Sequence, residues 1–107
     1  QKIIEGKKIY LYGASTKGNT VLQYYGLNYK NIPFGAERSP EKWGKYTIGT
    51  GIKIISEKMA RDLNPDYFFV TPWGFIKEFI HREKKWLRDG GKFIVPFPKF
   101  RLIKHNE

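Results

Sequence analysis

The sequence predicts an α/β domain built on a mostly parallel β-sheet. Short, almost continuous apolar runs alternate along the chain with segments whose apolar residues recur at helical spacing. Continuous apolar runs are typical of strands buried on both faces, as in parallel sheets that helices cover. The chain has 107 residues, which is enough to enclose one hydrophobic core, so we expect a single domain over residues 1–107.

The N-terminal part of this pattern is a strand, a loop and a helix. Residues 8–12 are almost wholly apolar, with aromatic and β-branched side chains, and Gly13 ends the run, so we expect the first strand there. A loop over residues 13–18 leads to a helix predicted over residues 19–25. Gly26 ends this helix, because glycine readily adopts the backbone conformation that follows a last helical turn.

The second strand is predicted within residues 32–36, where Pro33 has no backbone N–H to give to a neighbouring strand. Proline at such a place indicates an edge strand or a late start of the strand. A long loop is expected over residues 39–52, which are rich in Gly, Pro, Thr and Lys, and a short extended piece follows over 53–55. Ser56 is then a suitable N-cap for the next helix.

The C-terminal half repeats the alternation. Residues 67–70 form the third predicted strand, the longest amphipathic helix runs from Phe75 to Leu87, and residues 93–96 form the fourth strand. A further edge strand is predicted at residues 100–103. The solvent-facing side of the long helix is expected to hold its charged residues: Lys77, Glu78, Arg82, Glu83, Lys84, Lys85 and Arg88.

These elements predict a small Rossmann-like domain with three layers, αβα. Crossover connections between parallel strands are right-handed in nearly all sheets, which restricts the ways the elements can be connected. We expect four mostly parallel strands in the order 2-1-3-4, with the extra edge strand near the C-terminus.

The charge balance indicates a polyanionic partner. Lys and Arg number 20 against 10 Asp and Glu, for a net charge of +10. Nucleic acid, a phosphate-bearing ligand and an acidic membrane are the partner classes that such a charge favours. The basic residues are spread over both halves of the chain, whereas a nucleic-acid-binding arm concentrates them. This distribution disfavours nucleic acid.

Other classes are excluded by what the sequence lacks. Without cysteine there is no disulfide scaffold, no thiol nucleophile and no cysteine-based zinc site. No apolar run is long enough to span a membrane. We therefore expect a cytoplasmic protein with no membrane partner. Because the chain does not begin with Met, we also expect it to be part of a longer polypeptide.

The predicted fold indicates where a ligand would bind. Open parallel sheets bind ligands beyond the carboxyl ends of their strands. The loop over residues 13–18 lies there, with backbone amides free to face an anion, the hydroxyls of Ser15 and Thr16, and the charge of Lys17. A plain strand-to-helix turn explains the same residues equally well. The candidate anion-binding residues are Gly13, Ala14, Ser15, Thr16, Lys17 and Gly18.

Two further strand ends contribute candidates. Glu37 ends the second strand, about 20 residues after the glycine loop, where dinucleotide-binding folds place an acid on a ribose diol. A solvated acid at a strand end is the competing interpretation. Trp73 follows the third strand and is either a ligand-facing ring or a packing residue at a helix start. No histidine or carboxylate pair has metal-ligand spacing, and no Ser-His-Asp set can be placed, so we predict neither a catalytic residue nor a metal site.

Four segments resemble, in order, the motifs of the C-terminal domain of sugar C-methyltransferases. They are residues 10–27 with the motif KGNT, residues 37–50, residues 64–73 with PDY and PW, and residues 90–96 with GGKFI. Together they cover nearly the whole chain, from about residue 8 to 98. Ile48 departs from the family's usual proline before Gly-Thr.

The resemblance implies a longer S-adenosylmethionine-dependent methyltransferase with a zinc-binding N-terminal domain and a central domain for the methyl donor. This chain would be its C-terminal domain, holding no cofactor itself, contacting the S-adenosylmethionine-binding domain and helping to enclose a nucleotide-linked keto-sugar. Alone it is not expected to transfer methyl groups. A nucleic-acid-binding module and a protein-interaction module are the alternatives. The residues that match the motifs and are expected to contact substrate or the neighbouring domain are Lys17, Glu37, Lys45, Tyr46 and Trp73.

Overall fold

A computed structural model describes residues 6–13, 22–71, 73–96 and 99–105 of the chain. In this part of the chain, strands form one six-stranded sheet in the order β3-β2-β1-β4-β5-β6. The strands are β1 (Ile9–Tyr12), β2 (Phe34–Glu37), β3 (Lys53–Ser56), β4 (Tyr67–Val70), β5 (Lys92–Val95) and β6 (Arg101–Ile103).

The sheet confirms the predicted α/β class with mostly parallel pairing. Neighbouring strands from β3 to β5 are parallel, and only β6 pairs antiparallel, with β5. The extra edge strand predicted near the C-terminus is present as β6. The expectation of four strands besides it is wrong, because a fifth, β3, is added at the opposite edge. There the extended piece after the long loop becomes β3. Pro33 does not prevent this pairing, since it lies just before β2 and accepts a bond from Lys53 N at 3.2 Å.

The helices differ more from expectation. Residues 22–24 are helical, within the helix predicted over 19–25. The α-helix that follows β3, α1 (Glu57–Asp62), begins after Ser56, whose hydroxyl accepts a hydrogen bond from Met59 N at 3.0 Å. This confirms the predicted N-cap. The long helix expected up to Leu87 is instead two helices, α2 (Ile76–Arg82) and α3 (Lys84–Arg88). The helical conformation is interrupted between them at Glu83, with φ −104° and ψ 21°.

Alternate side chains of each strand point to opposite faces of the sheet, as the strand repeat requires. We call one side the aliphatic face, which includes Ile9 and Leu11 of β1. The other is the aromatic face, which includes Tyr10 and Tyr12. Residues 22–32 supply apolar side chains to the aliphatic face, and helices α1, α2 and α3 cover the aromatic face.

Candidate functional site

A cleft of about 360 Å³ opens at the carboxyl ends of β1 and β2. Its base consists of Tyr12, Gly13 and Ala36, and Phe75 and Phe79 contribute aromatic rings. Six charged side chains complete its lining, and they come from the turn after β2 and from helices α1 and α2. They are Glu37, Arg38, Lys42, Glu57, Glu78 and Arg82.

Gly13 is held at the base of this cleft by backbone and side-chain bonds. Its N–H donates to Ala36 O at 3.0 Å, and Thr71 Oγ1 donates to its carbonyl oxygen at 2.9 Å. Its φ of 81° lies in the left-handed region that glycine adopts without steric cost. These bonds fix Gly13 at the end of β1, beside β2. The other candidates of the predicted loop, Ala14, Ser15, Thr16, Lys17 and Gly18, lie outside the described residues.

Glu37 lies at the cleft, and its carboxylate is oriented by its own turn. One oxygen, Oε1, accepts hydrogen bonds from Arg38 N at 3.0 Å and from Ser39 N at 3.2 Å. The other oxygen, Oε2, is 3.9 Å from Lys42 Nζ. The side chain is thus mostly buried and fixed, and only its Oε2 side forms a long, weak ion pair.

The remaining predicted residues take other positions. Lys45 and Tyr46 lie in an exposed hairpin against β3, where Lys45 O accepts from Ile54 N at 2.8 Å and Tyr46 bridges to Lys53. Neither lines the cleft. Trp73 begins a short 3-10 turn, Trp73–Phe75, that brings Phe75 to the cleft. The side chain of Trp73 lies outside the described part of the chain.

Below the cleft is a buried ion network that the sequence did not predict. Glu83 was expected on the solvent side of a long helix, and that expectation is wrong, since the side chain is only 1% exposed. Tyr12 Oη donates to Glu83 Oε2 at 2.7 Å. Arg61 donates from Nε to Oε1 at 2.7 Å and from Nη2 to Oε2 at 2.6 Å. The sequence contained a pattern that could have indicated this burial. Glu83 is four residues from both Phe79 and Leu87 and so lies on the same apolar stripe of a helix.

Arg82 connects this network to the cleft. Its Nη1 donates to Glu57 Oε2 at 2.9 Å and to Tyr12 Oη at 3.3 Å, and its Nη2 donates to Glu78 Oε1 at 3.0 Å. Burial, and then the hydrogen bond to Glu83, raise the pKa of Tyr12 well above its ordinary value. The phenol at the cleft base therefore stays protonated and acts as a donor to Glu83.

The cleft presents both positive and negative side chains to solvent. Its basic and acidic groups are equal in number, and Arg38 and Lys42 are the more exposed of the cations. Among the described residues, no group of three or more His, Asp or Glu is arranged to hold a metal ion. No helix of the described ranges has the length and apolar character needed to cross a membrane.

Comparison with known proteins finds two similarities. Residues 2–98 match the family described as the C-methyltransferase C-terminal domain. The chain is also 39% identical over 101 residues to the C-methyltransferase NovU of Streptomyces niveus. That match covers 94% of this chain but 24% of the relative, so the chain spans about a quarter of that protein's length.

Proposed function

The chain belongs to the family of C-methyltransferase C-terminal domains, and from this premise we propose that it is the substrate-side domain of an S-adenosylmethionine-dependent sugar C-methyltransferase. In this proposal the cleft binds one portion of a nucleotide-linked sugar. The methyl donor and a zinc ion belong to other parts of the longer polypeptide. The absence of cysteine agrees with that division, since cysteine is the commonest ligand of structural zinc.

The position of the cleft is the observation that supports this function best. The strand order β3-β2-β1-β4-β5-β6 is the order of doubly wound folds that bind dinucleotides, so we also propose a Rossmann-like domain. In such folds the ligand lies outside the carboxyl ends of the strands. The cleft opens at those ends of β1 and β2, beside the start of the predicted anion-binding loop.

The cleft residues divide into groups that suit different parts of a sugar nucleotide. Arg38 and Lys42 offer charge to phosphate oxygens. Lys17 and the amides of residues 14–18, predicted from the sequence alone, would add to this contact. Glu37 offers a carboxylate oxygen to a sugar or ribose hydroxyl, and the exposed ring of Phe75 offers an apolar surface to a base or sugar. These residues bind and orient the substrate, and the S-adenosylmethionine held elsewhere supplies the methyl group.

Titration of the 107-residue chain with thymidine diphosphate glucose, followed by amide chemical shifts, tests this function. We expect saturable shifts at Gly13, Glu37 and Arg38 at millimolar ligand. Replacing Lys42→Gln should weaken binding roughly tenfold, because a charge-assisted contact to phosphate is lost. Lys58→Gln is the matched control, since Lys58 is an exposed lysine on α1 outside the cleft. Absence of shifts at these amides, or equal effects of both variants, would contradict the proposal.

A second role, docking against the rest of the longer polypeptide, is favoured by an exposed apolar patch. The hairpin against β3 (residues 44–51) exposes Tyr46 and Ile48, the latter 87% exposed, and Trp43 is exposed just before it. The hairpin is joined to the segment that follows exposed Tyr24, because Tyr29 N donates to Thr50 O at 2.8 Å. Exposed apolar surface of this kind marks interaction sites. We propose that the patch contacts the S-adenosylmethionine-binding domain.

Hydrogen exchange tests the docking role. Amides of residues 44–51 should exchange more slowly in the full-length polypeptide than in the 107-residue chain, because a packed domain excludes solvent from the hairpin. Amides of residues 61–64, at the end of α1, are the internal reference. Equal exchange of the hairpin in both proteins would remove the docking role and leave the cleft proposal unaffected.

A further inference from the structure

Glu78 lies at the cleft between two arginines. Its Oε1 accepts a hydrogen bond from Arg82 Nη2 at 3.0 Å and is 3.9 Å from Arg38 Nη1. The side chain of Glu78 is 57% exposed, in contrast to the mostly buried carboxylates of Glu37 and Glu57. A single carboxylate oxygen thus occupies the space between two guanidinium groups that line the cleft.

This position is also where an incoming anion would find its partners. The chain has a net charge of +10, yet the cleft lining has equal numbers of basic and acidic groups. Glu37 accepts bonds from backbone amides, and Glu57 accepts partly buried bonds from Arg61 and Arg82. Glu78 is therefore the cleft carboxylate that a ligand can displace most easily.

The two arginines differ in what they retain when Glu78 moves away. Arg82 keeps its bonds to Glu57 at 2.9 Å and to Tyr12 at 3.3 Å, so its guanidinium stays oriented and its Nη2 can donate to a new acceptor. The side chain of Arg38 is long and 66% exposed, so it can change conformation to contact a bound ligand. Exposed ion pairs such as those of Glu78 contribute little stability, and exchange for a more highly charged anion is favourable.

We propose that Glu78 competes with the anionic group of the ligand for the two arginines. It thereby sets the negative charge that a ligand must carry to bind in the cleft. A diphosphate has enough charge to displace the carboxylate from both arginines, whereas a singly charged group does not. The proposal rests on the proposed function for its premise that the cleft binds an anionic ligand. It adds a specificity-determining residue that the sequence motifs do not include.

Titrations with inorganic pyrophosphate and with dimethyl phosphate, a diester with a single charge, on the native 107-residue chain and on Glu78→Gln, test this role. Glu78→Gln should bind pyrophosphate roughly fivefold to tenfold tighter, since a like charge a few ångströms from the ligand is removed. Dimethyl phosphate, which does not displace Glu78 in the native chain, should bind the two arginines in this variant, so the preference for pyrophosphate over dimethyl phosphate should become smaller. The amides of Gly13, Glu37 and Arg38 report occupancy of the cleft.

Asp62→Asn is the matched control. Asp62 is also exposed, also pairs with a base at i,i+4 spacing (Lys58, 2.9 Å), and lies outside the cleft lining. The variant makes the same change in net charge, so its pyrophosphate affinity should stay within about twofold of native if distance decides the effect. Thermal unfolding of both variants verifies that each remains folded.

The outcomes separate this inference from the proposed function. If the native chain binds the sugar nucleotide but Glu78→Gln binds pyrophosphate no tighter, Glu78 is not a competitor and the function remains. If both variants tighten binding equally, net charge explains the effect and the inference fails. If Glu78→Gln tightens pyrophosphate binding while the sugar nucleotide gives no shifts, the competitor role holds and the sugar-nucleotide assignment fails.

Discussion

The two faces of the β-sheet are packed with different chemistry. On the aliphatic face, the strand residues Ile9, Leu11 and Ile94 pack with Leu22 and Ile32, and the buried rings are fewer, namely Tyr67 and Phe69. On the aromatic face, rings pack against rings: Tyr12 lies edge-on to Phe68, Phe79 and Phe93, and Phe68 also contacts Trp86. Aliphatic contacts have little directional preference, whereas ring contacts and their polar groups require defined geometry.

The aromatic face also contains buried polar groups, and these fix its geometry. Tyr12 Oη bonds to Glu83, and Trp86 Nε1 donates to Pro65 O at 3.1 Å. In the described residues, no buried side-chain nitrogen or oxygen lacks a hydrogen-bond partner. The cleft opens over this face, with Tyr12 and Phe79 in its lining. The comparison indicates that the polar, directional face holds the cleft in place, while the aliphatic face contributes packing.

The sharpest test of this comparison is Glu83→Ala, for which we expect the largest effect. The change removes the acceptor of Tyr12 and both bonds of Arg61, which leaves a partly buried guanidinium without its main partner. We expect a loss of about 3 kcal/mol in the free energy of unfolding, because breaking a buried ion pair exposes the desolvation cost of the remaining charge. Urea denaturation followed by circular dichroism measures this loss.

Asp62→Ala provides the contrast on the same protein. Its ion pair with Lys58 is also short, at 2.9 Å, but both side chains are exposed. Solvent screens such a pair, so the expected change is about 0.5 kcal/mol or less. Equal losses for the two variants would mean that the buried network does not distinguish the aromatic face.

The apolar runs were sufficient to predict the central strands. They predicted the helices only in part. Strand β4 is buried along its whole length, as its sequence indicates. The short run at residues 53–55 predicted only an extended piece, because pairing with β2 is a long-range contact that no local pattern contains. The break at Glu83 was missed for a related reason, since Arg61 and Tyr12 draw the carboxylate inward from distant positions in the chain.

The location of the cleft followed from the fold rule, but most of its charges did not. Gly13 and Glu37 lie at strand ends and line it, as expected for those positions. Glu57, Glu78 and Arg82 come from helices whose approach to the strand ends depends on tertiary packing. Lys45 and Tyr46, chosen from motifs, lie outside the cleft lining because their hairpin follows the edge strand β3.

Gly91→Ala tests whether the aromatic face tolerates added volume. A methyl group at Gly91 would overlap the indole of Trp86, which is buried and held by its bond to Pro65. We expect a loss of about 2 kcal/mol in the free energy of unfolding, because overpacking a fixed ring forces side chains or backbone to shift. Near-ultraviolet circular dichroism should report the displaced indole.

Gly35→Ala makes the same change on the aliphatic face. There the new methyl group would lie 3.4 to 3.5 Å from Leu11 and Ile52, which is close to ordinary contact. We expect a change within about 1 kcal/mol of zero, since the lower entropy of the unfolded chain offsets mild crowding. If Gly35→Ala destabilised more than Gly91→Ala, the proposed difference in rigidity between the faces would be wrong.

Alkaline pH gives the smallest and most specific test. Burial, and then the bond to Glu83, raise the pKa of Tyr12 above its ordinary value of 10.0. The folded state therefore holds this proton more tightly than the unfolded state, so the stabilisation is complete below about pH 10 and is lost as pH rises above it. We expect the free energy of unfolding to fall by about 1 kcal/mol between about pH 10 and about pH 11 on account of Tyr12.

Tyr12→Phe isolates that contribution, because the variant keeps the ring and removes the titrating group. Tyr10, whose pKa burial also raises, stays in both proteins and contributes an equal background. The variant should be less stable by about 1 kcal/mol at neutral pH, from the lost hydrogen bond, but its stability should decline less steeply above about pH 10. In the described residues, the aliphatic face has no titrating group as deeply buried as Tyr12. If the stability of the two proteins declined equally with rising pH, the network would not stabilise the protonated phenol of Tyr12.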